Sequence, residues 1–295
     1  MQNRSIRYAG CIPALFAIFL TACSPPATRR EPAPADAPVP PYTVEHVRRD
    51  LAVPAGVVRI RIDNPHGSVT IKPVEKPVLG VYETIQRIGE KPEEPQIHLA
   101  VEGDEAVLRV AYASDRNGGA DRLVKGFRKG RVDLGVFVPA GPELHVTTTY
   151  GDVQVRRVNN ELVARTREGS LVAAGAGSMD VQTDSGQLSL FPVTAKWQRP
   201  LRGATRTGNI VMEVPVRGDI DLVARTRGRF TGPVSLEMRQ APDGRTEGHF
   251  KAGRGSQHIQ LDSQSGDIHL APYDYTPEVR PLVAKTGPNP PKSGP

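Results

Sequence analysis

Few residues in this 295-residue chain combine types and spacing that could do chemistry. Asp152 and Asp267 each follow a glycine, and a pair of carboxylates is what glycoside hydrolysis requires. The two lie in different copies of a sequence repeat, however, and the intervening copies carry Ser170, Gln187 and Asn209 at the same place, so both read as turn formers. Seven histidines (His46, His66, His98, His145, His249, His258, His269) show no metal-ligand spacing, and no nucleophile elbow, P-loop, dinucleotide fingerprint or calcium β-roll series is present. These absences argue against an enzyme and imply no cofactor and no metal.

Arginine and lysine offer electrostatic chemistry instead. Arg122, Lys125, Arg128, Lys129 and Arg131 place five positive charges within ten residues, enough to attract anionic glycans or lipid headgroups. Arg165, Arg167, Arg206, Arg225, Arg227 and Arg229 recur beside the repeat glycines, and stacking would bring them into a basic stripe able to hold an acidic polymer. Each group has a plain alternative, a solvated loop for the first and edge arginines paired with neighbours such as Glu168 and Glu213 for the second. A net charge of +6 is too mild to imply nucleic-acid binding.

The remaining reactive group is Cys23. Arg4 and Arg7 precede an apolar run from about Tyr8 to Leu20, the pattern of a secretory signal and too short to span a membrane. Leu20-Thr21-Ala22-Cys23 resembles the lipobox of bacterial lipoproteins. That resemblance implies cleavage after Ala22, acylation of Cys23 and a membrane partner through the lipid. Ser24 after the cysteine implies, by the same resemblance, the outer membrane of the cell envelope. Cleavage would remove Cys11 and leave no intrachain disulfide to form.

The elements that would position these groups are strands. Gly (29) and Pro (28) are abundant and aromatics make up 5% of the chain, a composition of many turns and short strands. A template of Thr/Ser, two residues, Gly, then an apolar residue two positions later and usually another at four recurs around Gly151, Gly169, Gly186, Gly208 and Gly266; an earlier copy at Gly67 has Asn64 in the Thr/Ser place, and a shortened copy reads Thr226-Arg227-Gly228-Arg229-Phe230. The spacings from Gly151 are 18, 17, 22, 20 and 38, the last near two periods. Each copy therefore reads as strand, glycine corner, strand, the glycine supplying φ > 0 and the Thr or Ser bonding locally or to the next copy. One copy cannot bury its own apolar face, whereas stacked copies share a core. The fold expected is all-β, a right-handed parallel β-solenoid with rungs of about 18–20 residues; a β-sandwich of antiparallel hairpins is the alternative.

The organisation expected is a signal at 1–22 and a lipidated, Pro-rich tether at 23–42. An N-terminal β region or cap follows at 43–140, then repeats at 141–275 and a disordered Pro-rich tail at 276–295. Ile97–Val101 and Ala106–Val110 flank Glu102-Gly103-Asp104-Glu105 as a hairpin. A strand ending in Asp63-Asn64-Pro65-His66-Gly67, that hairpin, Leu134-Gly135-Val136-Phe137-Val138-Pro139 and the repeats together resemble the putative-adhesin family of β-strand-repeat proteins of unknown function, over roughly residues 50 to 272. The resemblance brings no catalytic residues. It implies a non-catalytic envelope lipoprotein that binds or adheres to envelope or extracellular material: anionic glycan, lipid headgroup or envelope protein. An accessory role in envelope-stress signalling is the alternative, and a polysaccharide-active enzyme is a more distant one.

Overall fold

The computed structural model describes residues 42–89, 92–113 and 130–274. Cys23, Ala22, Arg122, Lys125, Arg128 and Lys129, with the signal, the tether to residue 41 and the tail, lie outside the described residues. The regular elements within them are 21 strands in two mixed sheets of ten and eleven.

The repeat builds the middle of both sheets. In β8 (Glu143–Tyr150) and β9 (Val153–Val158) the chain crosses one sheet, turns at Gly151 and returns in the other. The same path is followed by β10 (Leu162–Glu168) with β11 (Leu171–Gly175), β12 (Met179–Ser185) with β13 (Leu188–Pro192), and β14 (Leu201–Thr205) with β15 (Ile210–Pro215). Each strand pairs in parallel with its equivalent in the next unit, so Leu162 faces Leu144 and Met179, and Leu171 faces Val153 and Leu188. Period-two alternation sends these side chains to the interior, and one continuous apolar cluster runs from Val53 to Leu270.

All seven template glycines stack in one column. A Cβ on Gly151 would lie 2.0 Å from the carbonyl oxygen of Gly67, on Gly169 2.2 Å from that of Gly151, and on Gly186 2.2 Å from that of Gly169. The column continues through Gly208, Gly266 and Gly228. Positive φ is therefore only part of the reason for glycine. Gly67 and Gly186 sit at +131° and +135°, whereas Gly208, Gly228 and Gly266 have no such angle, and close approach of backbone to backbone is what all seven share.

Beside this column runs a second one of buried hydroxyls. Thr148 donates to Thr166 Oγ1 at 2.8 Å, Thr183 Oγ1 to Gly169 O at 2.9 Å, Ser263 Oγ to Gly208 O at 3.1 Å and Thr226 Oγ1 to Gly266 O at 2.6 Å. Asn64 Nδ2 takes the same part toward Val132 O at 2.8 Å. The corner carbonyls of Gly151, Gly169, Gly208 and Gly266 are thus each satisfied by a hydroxyl of the neighbouring unit.

Spatial order departs from chain order at both ends. At the N-terminal end β2 (Arg59–His66) and β3 (Val69–Val74) form a full unit beside β8 and β9. The next unit in the chain, β6 (Glu105–Ala111) with β7 (Arg131–Pro139), lies on the outer side of β2 and β3. At the other end β16 (Ile220–Thr226) and β17 (Phe230–Thr231) form the outermost parallel unit. The last unit, β20 (Gln257–Ser263) with β21 (Ile268–Tyr273), lies between them and β14/β15. The 38-residue interval before Gly266 thus holds no second period. It holds β18 (Glu237–Gln240) and β19 (Thr246–Lys251), an antiparallel pair on the edge of β16.

Antiparallel strands also finish the first end. β1 (Tyr42–Ala52) and β4 (Val78–Ile88) extend one sheet from β7, and β5 (Gln96–Glu102) extends the other from β6 as the expected hairpin.

Candidate functional site

The corner acids serve the stack. Asp152 Oδ1 accepts the backbone N–H of Ser170 at 2.8 Å, and Asp267 Oδ1 accepts that of Arg229 at 2.8 Å. Asp133 and Asn209 do the same for Ser68 and Asp267. The Arg229 N–H holds Asp267 below the usual carboxylate range. Asp152 and Asp267 are four units apart along the glycine column, ~19 Å at the strand spacing, whereas glycosidase carboxylates stand ~5–9.5 Å apart.

The arginines divide into two sets. Arg165 donates to the carbonyl of Asp180 at 2.7 Å and to its carboxylate at 2.8 Å, Arg225 pairs with Glu247 at 2.6 Å, and Arg229 lies 3.2 Å from Asp267. Arg131, the one described residue of the basic segment among those expected to bind, clamps Asp133 through Nε at 3.0 Å. Arg167, Arg206 and Arg227 occupy one file, each following a residue of the hydroxyl column (Thr166, Thr205, Thr226). By the same register Asp184 stands between the first two and the neutral Gln264 between Arg206 and Arg227, at roughly 5 Å steps.

The rest of that outer face is likewise compensated. Arg59 bonds Glu105 at 2.6 Å, Arg61 and Arg109 flank Asp63 at 3.4 and 3.7 Å, and Arg199 bridges Glu143 and Glu161 at 2.6 and 2.7 Å. The Arg59 hydrogen bond, with Arg61 beside it, holds Glu105 below its ordinary pKa. Such pairs are worth ~0–1 kcal/mol each at an exposed surface, but they neutralise the face on which a continuous basic band was expected. Among the described residues no group of three His, Cys, Asp or Glu side chains is placed to hold a metal ion.

The other sheet carries a different feature near its β1 edge. Leu79-Gly80-Val81-Tyr82 on β4 and Leu134-Gly135-Val136-Phe137 on β7 pair antiparallel, with Gly80 opposite Phe137 and Tyr82 opposite Gly135. Each glycine leaves room beside the aromatic ring on the partner strand, and the two rings meet edge to face at 5.6 Å. Arg48 of β1 lies over Tyr82, 5.2 Å from the ring centre, and bonds Asp50 at 3.3 Å. These groups, with Val74 and Lys76, line an open groove of about 730 Å³ in which Tyr82 is 44% exposed. An aromatic face with a guanidinium and a carboxylate at its rim suits a ring that is apolar on its face and polar at its edge. The sequence signal for this site was the doubled Leu-Gly-Val-aromatic motif, which a search for clustered charges passes over.

No family model matches the chain, and no curated protein matches it. Among the solved structures that resemble it are three at 11% identity. A "putative cell adhesion protein" from Clostridium sporogenes ATCC 15579 aligns over 79% of this chain and 100% of its own, with a TM-score of 0.40. A "putative adhesin" from Bacteroides fragilis NCTC 9343 covers 78% and 97% with a TM-score of 0.29. A "putative lipid binding protein" from Parabacteroides distasonis ATCC 8503 covers the same shares with a TM-score of 0.26.

Proposed function

We propose that this chain is a non-catalytic cell-envelope lipoprotein. Its repeats form a right-handed, two-sheeted β-solenoid that presents a binding surface to glycan of the envelope or its surroundings. The observation that carries the reading is the contrast between the two outer faces. On one the charged side chains compensate each other, and at the corners the acids are taken up by backbone N–H groups of adjacent units. On the other Tyr82 remains accessible above a groove rimmed by Arg48, Asp50 and Lys76. Saccharide rings present C–H faces to such an aromatic and hydroxyls to such a rim. Acylation at Cys23 would tie this surface to the membrane, and the seven prolines between Ser24 and Tyr42 would stand it off by up to roughly 60 Å.

Two measurements test the two halves. Retention of the full-length chain on immobilised envelope polysaccharide is expected to fall about tenfold for Tyr82→Ala, the effect of removing one aromatic anchor; unchanged retention overturns the groove assignment. Cys23→Ser is expected to move the protein out of the membrane fraction, and its persistence there overturns the anchor.

A further inference from the structure

Among the described residues β1 stands at the edge of its sheet and pairs only with β4, over all 11 of its residues. Among the other sheet edges β17 has 2 residues, β18 has 4 and β5 has 7. A long edge is a template for another strand, and proteins commonly block it with charges that point inward. β1 has such charges. Glu45, Val47, Arg49 and Leu51 share the inner face of the sheet, opposite Ile85, Glu83, Val81 and Leu79. Glu45 pairs with Arg87 at 2.9 Å and Arg49 with the buried Glu83 at 3.0 Å.

We infer that β1 is the interface of a homodimer, pairing antiparallel with β1 of a second copy about a two-fold axis through Val47. With Val47 opposite Val47, Glu45 of each copy faces Arg49 of the other, and Thr43 faces Leu51. Two rows of alternating charge then cross the junction: Arg87, Glu45, the second copy's Arg49 and the second copy's Glu83. The occupant is argued from this self-complementarity. A shift of two residues in either direction sets Glu45 opposite Val47 or Leu51 and leaves Arg49 without a carboxylate opposite, and a shift of one turns the inner face outward. The inward charges therefore reject unrelated strands and odd registers while accepting one register of the same sequence. Pairing extends the sheet through β7, β4, β1 and their copies, and puts two Tyr82 grooves on one face. The dimer does not depend on what the groove binds.

Native mass spectrometry of the full-length chain released from detergent is expected to give two chains per particle; a single chain at every concentration overturns the inference. Site-directed crosslinking in the full-length chain fixes the register. Val47→Cys is expected to form a disulfide-linked dimer on mild oxidation, and Leu51→Cys, which stands some eight residues from its own copy in this register, is expected to form none. Equal crosslinking at both positions, or a Val47→Cys adduct whose mass is not twice that of the chain, overturns it. Should Val47→Cys fail to fold, the stoichiometry of the unsubstituted chain decides the question alone.

Discussion

Two buried carboxylates show how one residue type acquires opposite behaviour from its partners. Burial pushes Glu83 above its ordinary pKa of 4.5, against the single guanidinium of Arg49, and neither of its oxygens has a well-aligned hydrogen bond among the described residues. Burial also acts on Glu247, but Arg225 and Arg239 both bond it and together hold it below 4.5. The folded chain keeps the Glu83 proton to higher pH than the unfolded chain does. Stability from this site is therefore full below about pH 4.5 and declines as pH rises through the raised folded value. Glu83→Gln is expected to raise the melting temperature at neutral pH, with the gain vanishing toward pH 4.5. For Glu247 the sign reverses: its contribution is present above 4.5 and lost as pH falls through the depressed folded value. Glu247→Gln is expected to cost ~1.5–3 kcal/mol at neutral pH, the range for hydrogen bonds to charged groups, and progressively less in acid. Melting curves of the two variants across pH that run parallel to those of the native chain would contradict both assignments. Neither carboxylate stood out in the sequence, because burial is set by how the strands pack and not by the residues beside it in the chain.

At the scale of the element, the repeat is a corner held by two columns. A side chain at Gly186 would meet the Gly169 carbonyl at 2.2 Å and would also sit at a φ of +135°. Gly186→Ala is expected to cost about 2–5 kcal/mol, left-handed strain plus an overlap that only displacement of the next unit relieves. Gly244, at +79° in the turn between β18 and β19 with open space around it, isolates the strain, and Gly244→Ala is expected to cost about 1–2 kcal/mol. Equal losses in chemical denaturation would mean that stacking contributes nothing at the corner. Thr183→Val tests the second column, since it removes the donor from the part-buried Gly169 carbonyl at an expected cost of ~1–3 kcal/mol. Both columns were legible in the sequence, because glycine and threonine recur at fixed offsets whatever their neighbours. What the spacing could not supply was the physical reason for glycine at Gly208, Gly228 and Gly266, which is contact between units rather than conformation within one. The ladder through Asp152 and Asp267 was half legible: a turn role followed from the glycine before each, but the bond to the next unit needed the stack itself.

For the whole molecule the informative fact is that the first two and last two units exchange places. Glycine spacing reports how many corners the chain makes and is silent about which of them are neighbours, so an interval of 38 was compatible with a missing copy and with a detour. Deleting the chain from Gln257 onward separates the two cases. β16 and β17 make their parallel pairings only with β20 and β21, so the deletion is expected to release residues 216–256 to an arginine-specific protease. Hydrogen-exchange protection of β8 to β13 is expected to survive. Protection retained across 220–251 would mean that the outermost unit stands without the one beneath it. The same exchange bears on how such a chain can change size. A copy added at either terminus would have to displace an intercalated unit together with the antiparallel strands that cover it. Duplicating residues 162–178 instead supplies a strand, a corner glycine and a strand to neighbours already in register, lengthening the molecule by ~4.8 Å. The reach of this protein is thus adjustable from its middle, with both ends inherited intact.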